Sequence, residues 1–329
     1  MNKGIIILAC AALLVSSCAS EFNSVYKYGD TDYKYEYAKE AFACGKFQQA
    51  SSLLEELVTI KKGSDEAQEC LYMLGMAQYG NQDFDAASET FRKYTSSYPR
   101  GTYAELAYFY VGQSLYQSAP EPRLDQSPTN GAITAYQQFI DLFPESELRP
   151  QAQSRLYELH DKLVQKEYLA AKLYYDLGTY TLNSIYGGNN YEACVVTAQN
   201  ALKDYPYASA NLRESLSILV LRAKYHLARN SVEEKRVERF RDAVDEYYAF
   251  QNDFPESRFM KDADYIFDYS ERVIAKKGAL LDDDVLDKKD VLDKIDNMKS
   301  LLQELPDGTV ERPEKRKSFS FKKTYKIKK

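Results

Sequence analysis

Tryptophan is absent from the 329 residues, histidine occurs twice, and cysteine five times. Each scarcity removes a class of function. His160 and His226 stand alone, without Cys, Asp or Glu partners at metal-ligand spacing, so no His-Glu-x-x-His site exists and no metal or other cofactor is expected. No Gly-x-Ser-x-Gly nucleophile elbow occurs. Gly187-Gly188 lacks the strand and following glycines of a phosphate loop and reads as a turn. The acidic pairs Glu55-Glu56 and Glu233-Glu234 read as solvated helix faces. These gaps point to a protein that is not an enzyme.

Long apolar runs are also scarce. The strongest, Ile5 to Leu14, falls short of the roughly 18 residues a spanning helix needs. It follows Lys3 and precedes Val15-Ser16-Ser17-Cys18, the order of a secretory signal peptide over residues 1–17. The small residues before Cys18 resemble a bacterial lipobox, with Val15 where leucine is commoner. That resemblance implies an acyl/diacylglyceryl lipid, palmitate included, on Cys18 as the mature N-terminus. An ordinary leader that happens to hold a cysteine at its cleavage site is the alternative. One acyl chain anchors marginally, and several make attachment durable. Ala19 and Ser20 carry no aspartate of an inner-membrane retention signal, which favours the outer membrane.

Once the leader is removed and Cys18 lipidated, Cys44, Cys70 and Cys194 remain, too few and too widely spaced for a disulfide framework. All three fall among apolar residues of helical pattern and read as small core residues. Residues 312–329 hold nine Lys or Arg and one Glu, a net +8, so against an overall −6 the rest of the chain carries −14. An acidic body with a basic tail is no general nucleic-acid binder. What the chain has in abundance is tyrosine, 29 residues, whose ring and polar tip suit helix interfaces and peptide surfaces.

The organisation is a repeat. Tyr37-Ala38 through Phe47 to Ala50 aligns with Leu74-Gly75 through Phe84 to Ala87, and the second copy continues to Phe91, Tyr94 and Pro99. Both resemble the tetratricopeptide pattern of about 34 residues. Ala38 or Gly75 is expected to lie against Ala50 or Ala87, with Leu54 or Phe91 filling the groove between units and Pro99 ending the second helix. Counting back from Phe143-Pro144, Tyr205-Pro206 and Phe254-Pro255 yields Ala132, Cys194 and Ala243 in the small position of three more units. Their first helices are expected at Leu106–Gln117, within Ala170–Ile185 and within Leu216–Arg229, with connections at 118–130, 187–190 and 230–236. Gln151 to Lys172 reads as a long helix linking the third and fourth units.

The expected fold is therefore all-α: a right-handed superhelical solenoid of about five tetratricopeptide helix pairs over residues 31–277, with a C-terminal helical/disordered extension. Residues 18–30 read as a lipidated linker, 278–305 as an acidic amphipathic helix and 306–329 as a basic disordered tail.

The tetratricopeptide resemblance implies a peptide groove on the first helices. Its positions fall on Tyr35, Lys39 and Phe42, then Tyr72, Met76 and Tyr79, then Phe109, Gln113 and Tyr116. Ala132-Ile133-x-Ala135-Tyr136-x-x-Phe139, Phe143-Pro144-Glu145-Ser146, Asp161-Lys162-Leu163, Ala171 to Tyr175, and Asp245-Glu246-Tyr247-Tyr248 before Phe254-Pro255-Glu256-Ser257 go further. With the lipidated cysteine they resemble the BamD family of outer-membrane barrel-assembly lipoproteins over roughly residues 18–275. The resemblance implies a periplasmic face, a BamA-like barrel insertase as partner, and unfolded outer-membrane barrel proteins as substrates. It places the insertase contact on the C-terminal units; Arg239, Arg241 and Tyr248 of the last unit are the candidates for it, with a solvated face as the alternative reading. Alternatives built on the same repeats are a cell-wall or division coordinator and a nutrient-binding lipoprotein, although the second normally uses tryptophan platforms.

Overall fold

The computed structural model describes residues 21–64, 66–179 and 189–281. The expected signal peptide, Cys18, most of the expected acidic helix and the basic tail lie outside them. Everything regular among the described residues is helical. After a short helical segment at 21–28, eleven helices follow: α1 Thr31–Ala43, α2 Phe47–Ile60, α3 Ala67–Gly80, α4 Phe84–Ser97, α5 Ala104–Ser118, α6 Ser127–Leu142, α7 Arg149–Leu177, α8 Asn190–Asp204, α9 Ala210–Arg229, α10 Glu233–Asp253 and α11 Met260–Ala275. Each packs on the next in chain order, and α5 also meets α7, α7 meets α9, and α9 meets α11. That is a solenoid of five helix pairs closed by α11, in which each pair buries an apolar face its neighbour leaves open.

Local sequence explains the periodicity. The four aromatic-proline pairs build one turn four times. At Tyr98, Phe143, Tyr205 and Phe254 the backbone leaves the helix at φ −132, −127, −122 and −136°. Each still donates its N–H to the carbonyl four residues back. The following proline cannot donate and so ends the helix. The residue two beyond the proline varies in side chain but not in place: Gly101, Ser146, Ala208 and Ser257 each donate their N–H to the aromatic's carbonyl. Within the first two pairs, Gly45 (φ 72°) and Gln82 (φ 63°) take matching left-handed positions, a conformation glycine adopts freely and glutamine does not. Asp30, Asp83 and Asn189 cap α1, α4 and α8 by accepting backbone N–H groups of Tyr33, Ala86 and Tyr191.

Close packing depends on small residues. Gly75 lies against the ring of Phe91: a Cβ there would come 2.7 Å from Cε1. Gly112 stands in the same relation to Tyr136, at 2.8 Å. Ala38, Ala50, Ala87, Leu54, Phe91, Ala132, Cys194 and Ala243 are all buried. Phe91, Tyr94, Tyr136 and Phe139 are fully enclosed, and losing any such ring to alanine costs about 3–5 kcal/mol.

Four expectations change. The supposed linking helix and the first helix of the fourth pair are one element, α7, whose Val164 and Ala171 join Cys194 and Ala198 of α8 and Leu216 of α9 in one core cluster. The first helix of the fifth pair starts at Ala210, and the connection after it is only 230–232, because α10 begins at Glu233. Cys70 and Cys194 are buried and free, but Cys44 is exposed, since it caps the end of α1 where the chain turns. Residues 21–28 are helical instead of linker, and Val25 is buried against the core of the first pair. Among the described residues no helix is long and apolar enough to cross a membrane.

Candidate peptide groove

The first helices of successive pairs are joined side by side by hydrogen bonds at the repeat spacing. Tyr35 of α1 donates its hydroxyl to Glu69 of α3 at 2.7 Å, across 34 residues. Gln113 of α5 donates to the hydroxyl of Tyr79 on α3 at 3.3 Å, again across 34. Tyr116 of α5 donates to Glu158 of α7 at 2.5 Å and accepts from Arg155 at 2.8 Å. These bonds define a surface made of α1, α3, α5 and α7.

Chemistry along this surface is aromatic at its centre and charged at its rims. Tyr35 lies between two ammonium groups, Lys39 at 4.9 Å and Lys61 at 4.8 Å from its ring centroid. Lys61 is itself paired with Asp32. Burial, then the bond to Glu69, pushes the Tyr35 hydroxyl far above its ordinary value. Tyr72 stacks on Tyr103 at 4.5 Å and 6°, and packs on Phe91 and Tyr94. Tyr79 meets Phe84 and Tyr110 edge-on. At the far end Arg155 lies 4.4 Å over the Tyr116 ring. Although burial opposes it, Tyr116 and Arg155 hold the Glu158 carboxyl below its usual range.

The nine predicted positions divide by accessibility. Lys39, Phe42, Tyr72, Met76, Tyr79 and Tyr116 are partly exposed, whereas Tyr35, Phe109 and Gln113 are buried. Gln113 positions others: it accepts from Tyr136 of α6 at 2.7 Å while donating to Tyr79, tying the second-helix layer to the first. Phe109 packs on Tyr136 and Phe139. Sequence reasoning missed Tyr103, Tyr110, Glu69, Arg155 and Glu158. The 34-residue offset from Tyr35 to Glu69 and from Tyr79 to Gln113 was the available signal. In the last pair Arg239 donates to Ser231 at 2.5 Å, Arg241 is exposed, and exposed Tyr248 packs on Tyr247 and Phe267.

The remaining chemical groups are absorbed by packing. His226 stacks on Tyr191 at 5.2 Å, and His160 borders a hollow of about 350 Å³ with Leu156, Tyr157 and Tyr205. Among the described residues no three His, Cys, Asp or Glu converge as a metal ion would require.

A family model described as "YfiO: Outer membrane lipoprotein" matches residues 29–185, the stretch that carries this surface. The outer membrane protein assembly factor BamD of Caulobacter vibrioides is 23% identical over 167 residues, half of this chain. Over that stretch the chain is BamD-like. It spans about half the length (54%) of that curated relative. The BamD-like stretch runs from Gly29, at the entry to α1, through α7, and so contains every groove position named above. The motif Phe-Pro-Glu-Ser gains a physical meaning as well. Ser146 donates to Glu105 and accepts from the Leu148 N–H, and Ser257 donates to Glu214 and accepts from the Phe259 N–H. In both pairs the serine ties the turn to the N-terminal part of its own pair's first helix.

Proposed function

We propose that this chain is a lipid-anchored scaffold of outer-membrane barrel assembly, facing the periplasm, that receives unfolded barrel substrates on its N-terminal pairs and holds a BamA-like insertase with its last pair. The observation that carries the reading is the aromatic surface of α1, α3 and α5, inside the BamD-like stretch. A barrel strand alternates apolar and polar side chains and ends in an exposed backbone and carboxylate. Phe42, Met76, Tyr79 and Tyr116 offer partly exposed apolar surface to its apolar side chains, and Lys39 offers a cation. Buried Tyr35, Phe109 and Gln113 hold that surface in register. Arg241 and Tyr248, with Arg239 braced on Ser231, form the candidate insertase contact.

The test is binding of a labelled peptide copying the C-terminal strand of a barrel protein, ending in an aromatic residue. Phe42→Ala and Met76→Ala together should weaken binding about tenfold, the equivalent of 1.4 kcal/mol, with the helical circular dichroism unchanged. Equal affinity in the folded double variant contradicts the groove assignment.

A further inference from the structure

Three exposed tyrosines crowd the N-terminal end of the solenoid. Tyr26 is 44% exposed, Tyr28 84% and Tyr33 53%. Isolated exposed aromatics need no explanation, but three within eight residues form a feature. The segment that carries Tyr26 and Tyr28 does not swing freely. Val25 is 4% exposed and belongs to the core cluster of Tyr35, Tyr37 and Ala38, with Phe22 packed alongside. The chain then turns sharply at Gly29, whose N–H bonds to the Val25 carbonyl at 2.8 Å and where a Cβ would strike that oxygen at 2.6 Å.

Tether length fixes where this end lies, given the reading that Cys18 carries the lipid, on which the inference rests. Three residue steps lead from Cys18 to Glu21, a reach of at most about 11 Å. Seven helical steps from Glu21 to Tyr28 add roughly 10 Å. A docked segment on so short a tether keeps the first helix pair against the bilayer surface. The polar layer there is some 5–8 Å deep, and tyrosine is enriched in it because its ring faces acyl chains while its hydroxyl stays hydrated. Charge does not drive the contact: Lys34 is paired with Glu56 and Asp32 with Lys61, and Glu21 and Asp30 outnumber Lys27.

We propose that Tyr26, Tyr28 and Tyr33 form a membrane-seating rim that rests among lipid headgroups and fixes the orientation of the solenoid. The α1–α3 end of the groove then opens beside the bilayer, and α10 and α11 are carried away from it.

The absence of tryptophan makes the test clean. Tyr28→Trp places a single reporter in the rim, and Tyr207→Trp places one at an equally exposed site (86%) after α8. Each lipidated full chain is reconstituted into phosphatidylethanolamine–phosphatidylglycerol vesicles with and without brominated acyl chains. Flotation and the mass of the mature N-terminus are measured first. The reporter at 28 should emit further to the blue than the one at 207 and lose much of its intensity to brominated lipid, with little change at high salt. The reporter at 207 should not be quenched. A chain that floats, carries lipid and yet shows equal emission at both sites overturns the rim and leaves the anchor standing. A chain whose N-terminus carries no lipid and does not float overturns the anchor and the rim with it.

Discussion

Gly75→Ala is the most informative single change to the packing, because one methyl group opposes two known effects. Its carbon would sit 2.7 Å from Cε1 and 2.9 Å from Cδ1 and Cζ of Phe91. Ordinary carbon contacts lie near 3.5–4.0 Å, so the ring must retreat by about 1 Å. It has nowhere to go: Phe91 is fully buried, with Tyr110 stacked at 5.4 Å and Tyr72 at 5.9 Å. Overpacking of this kind costs about 1–3 kcal/mol, whereas replacing glycine by alanine in a helix returns about 1 kcal/mol. The net expectation is a loss of roughly 0–2 kcal/mol. Gly131→Ala is the internal control. It lies within α6, its nearest neighbour would be Leu115 Cδ1 at an ordinary 3.5 Å, and only the helix gain of about 1 kcal/mol applies. Urea denaturation followed by helical circular dichroism should separate the two variants by about 1–3 kcal/mol, with opposite signs relative to the parent. Introducing Phe91→Leu should reduce the Gly75→Ala cost, giving a double-mutant cycle with a favourable coupling. Equal effects at positions 75 and 131, or strict additivity with Phe91→Leu, refutes the idea that these glycines exist to admit an aromatic ring.

Two further outcomes follow from buried titrating groups. Burial pushes the hydroxyls of Tyr72 and Tyr136 far up, and burial with the bond to Asp264 pushes Tyr247 up to about 12. A hydroxyl held neutral in the folded state contributes stability that is complete below the unfolded tyrosine value near 10 and is lost as pH rises toward the folded value. The melting temperature should therefore fall steeply above about pH 10, and tyrosinate absorbance should grow together with helix loss; early ionisation of all tyrosines in a fully helical chain contradicts this. Burial likewise raises the thiols of Cys70 to about 11 and Cys194 to about 12, while Cys44 is exposed. In the folded chain lacking its leader and carrying Cys18→Ser, a thiol reagent should label Cys44 quickly and the other two only on unfolding, as peptide mapping would show.

Much of this architecture was legible because its punctuation is chemical. Proline after an aromatic ends a helix wherever it stands, so the four turns at Pro99, Pro144, Pro206 and Pro255 could be counted from the sequence. The 29-residue α7 was misread because its pattern runs unbroken past the length of an ordinary first helix, and no residue inside it marks where the contact with α6 ends and that with α8 begins. Cys44 was misjudged since helical periodicity places a residue on a face but does not say that the helix stops there. The groove positions were assigned by family register, which cannot distinguish Phe109, turned into the α5–α6 interface, from Tyr116, which reaches Arg155 and Glu158. The docking of Val25 was invisible because eight residues before a glycine look like linker until their packing partner is known.

The central claim, that this scaffold belongs to barrel assembly, is tested most directly by purifying the full lipidated chain through a C-terminal tag from detergent-solubilised membranes and identifying what comes with it. The account predicts a barrel insertase with periplasmic repeat domains. It also predicts loss of that partner from a folded chain carrying Arg239→Glu, Arg241→Glu and Tyr248→Ala, and its retention when residues after Lys277 are removed. Recovery of a cell-wall synthase or a nutrient transporter without any barrel insertase contradicts it.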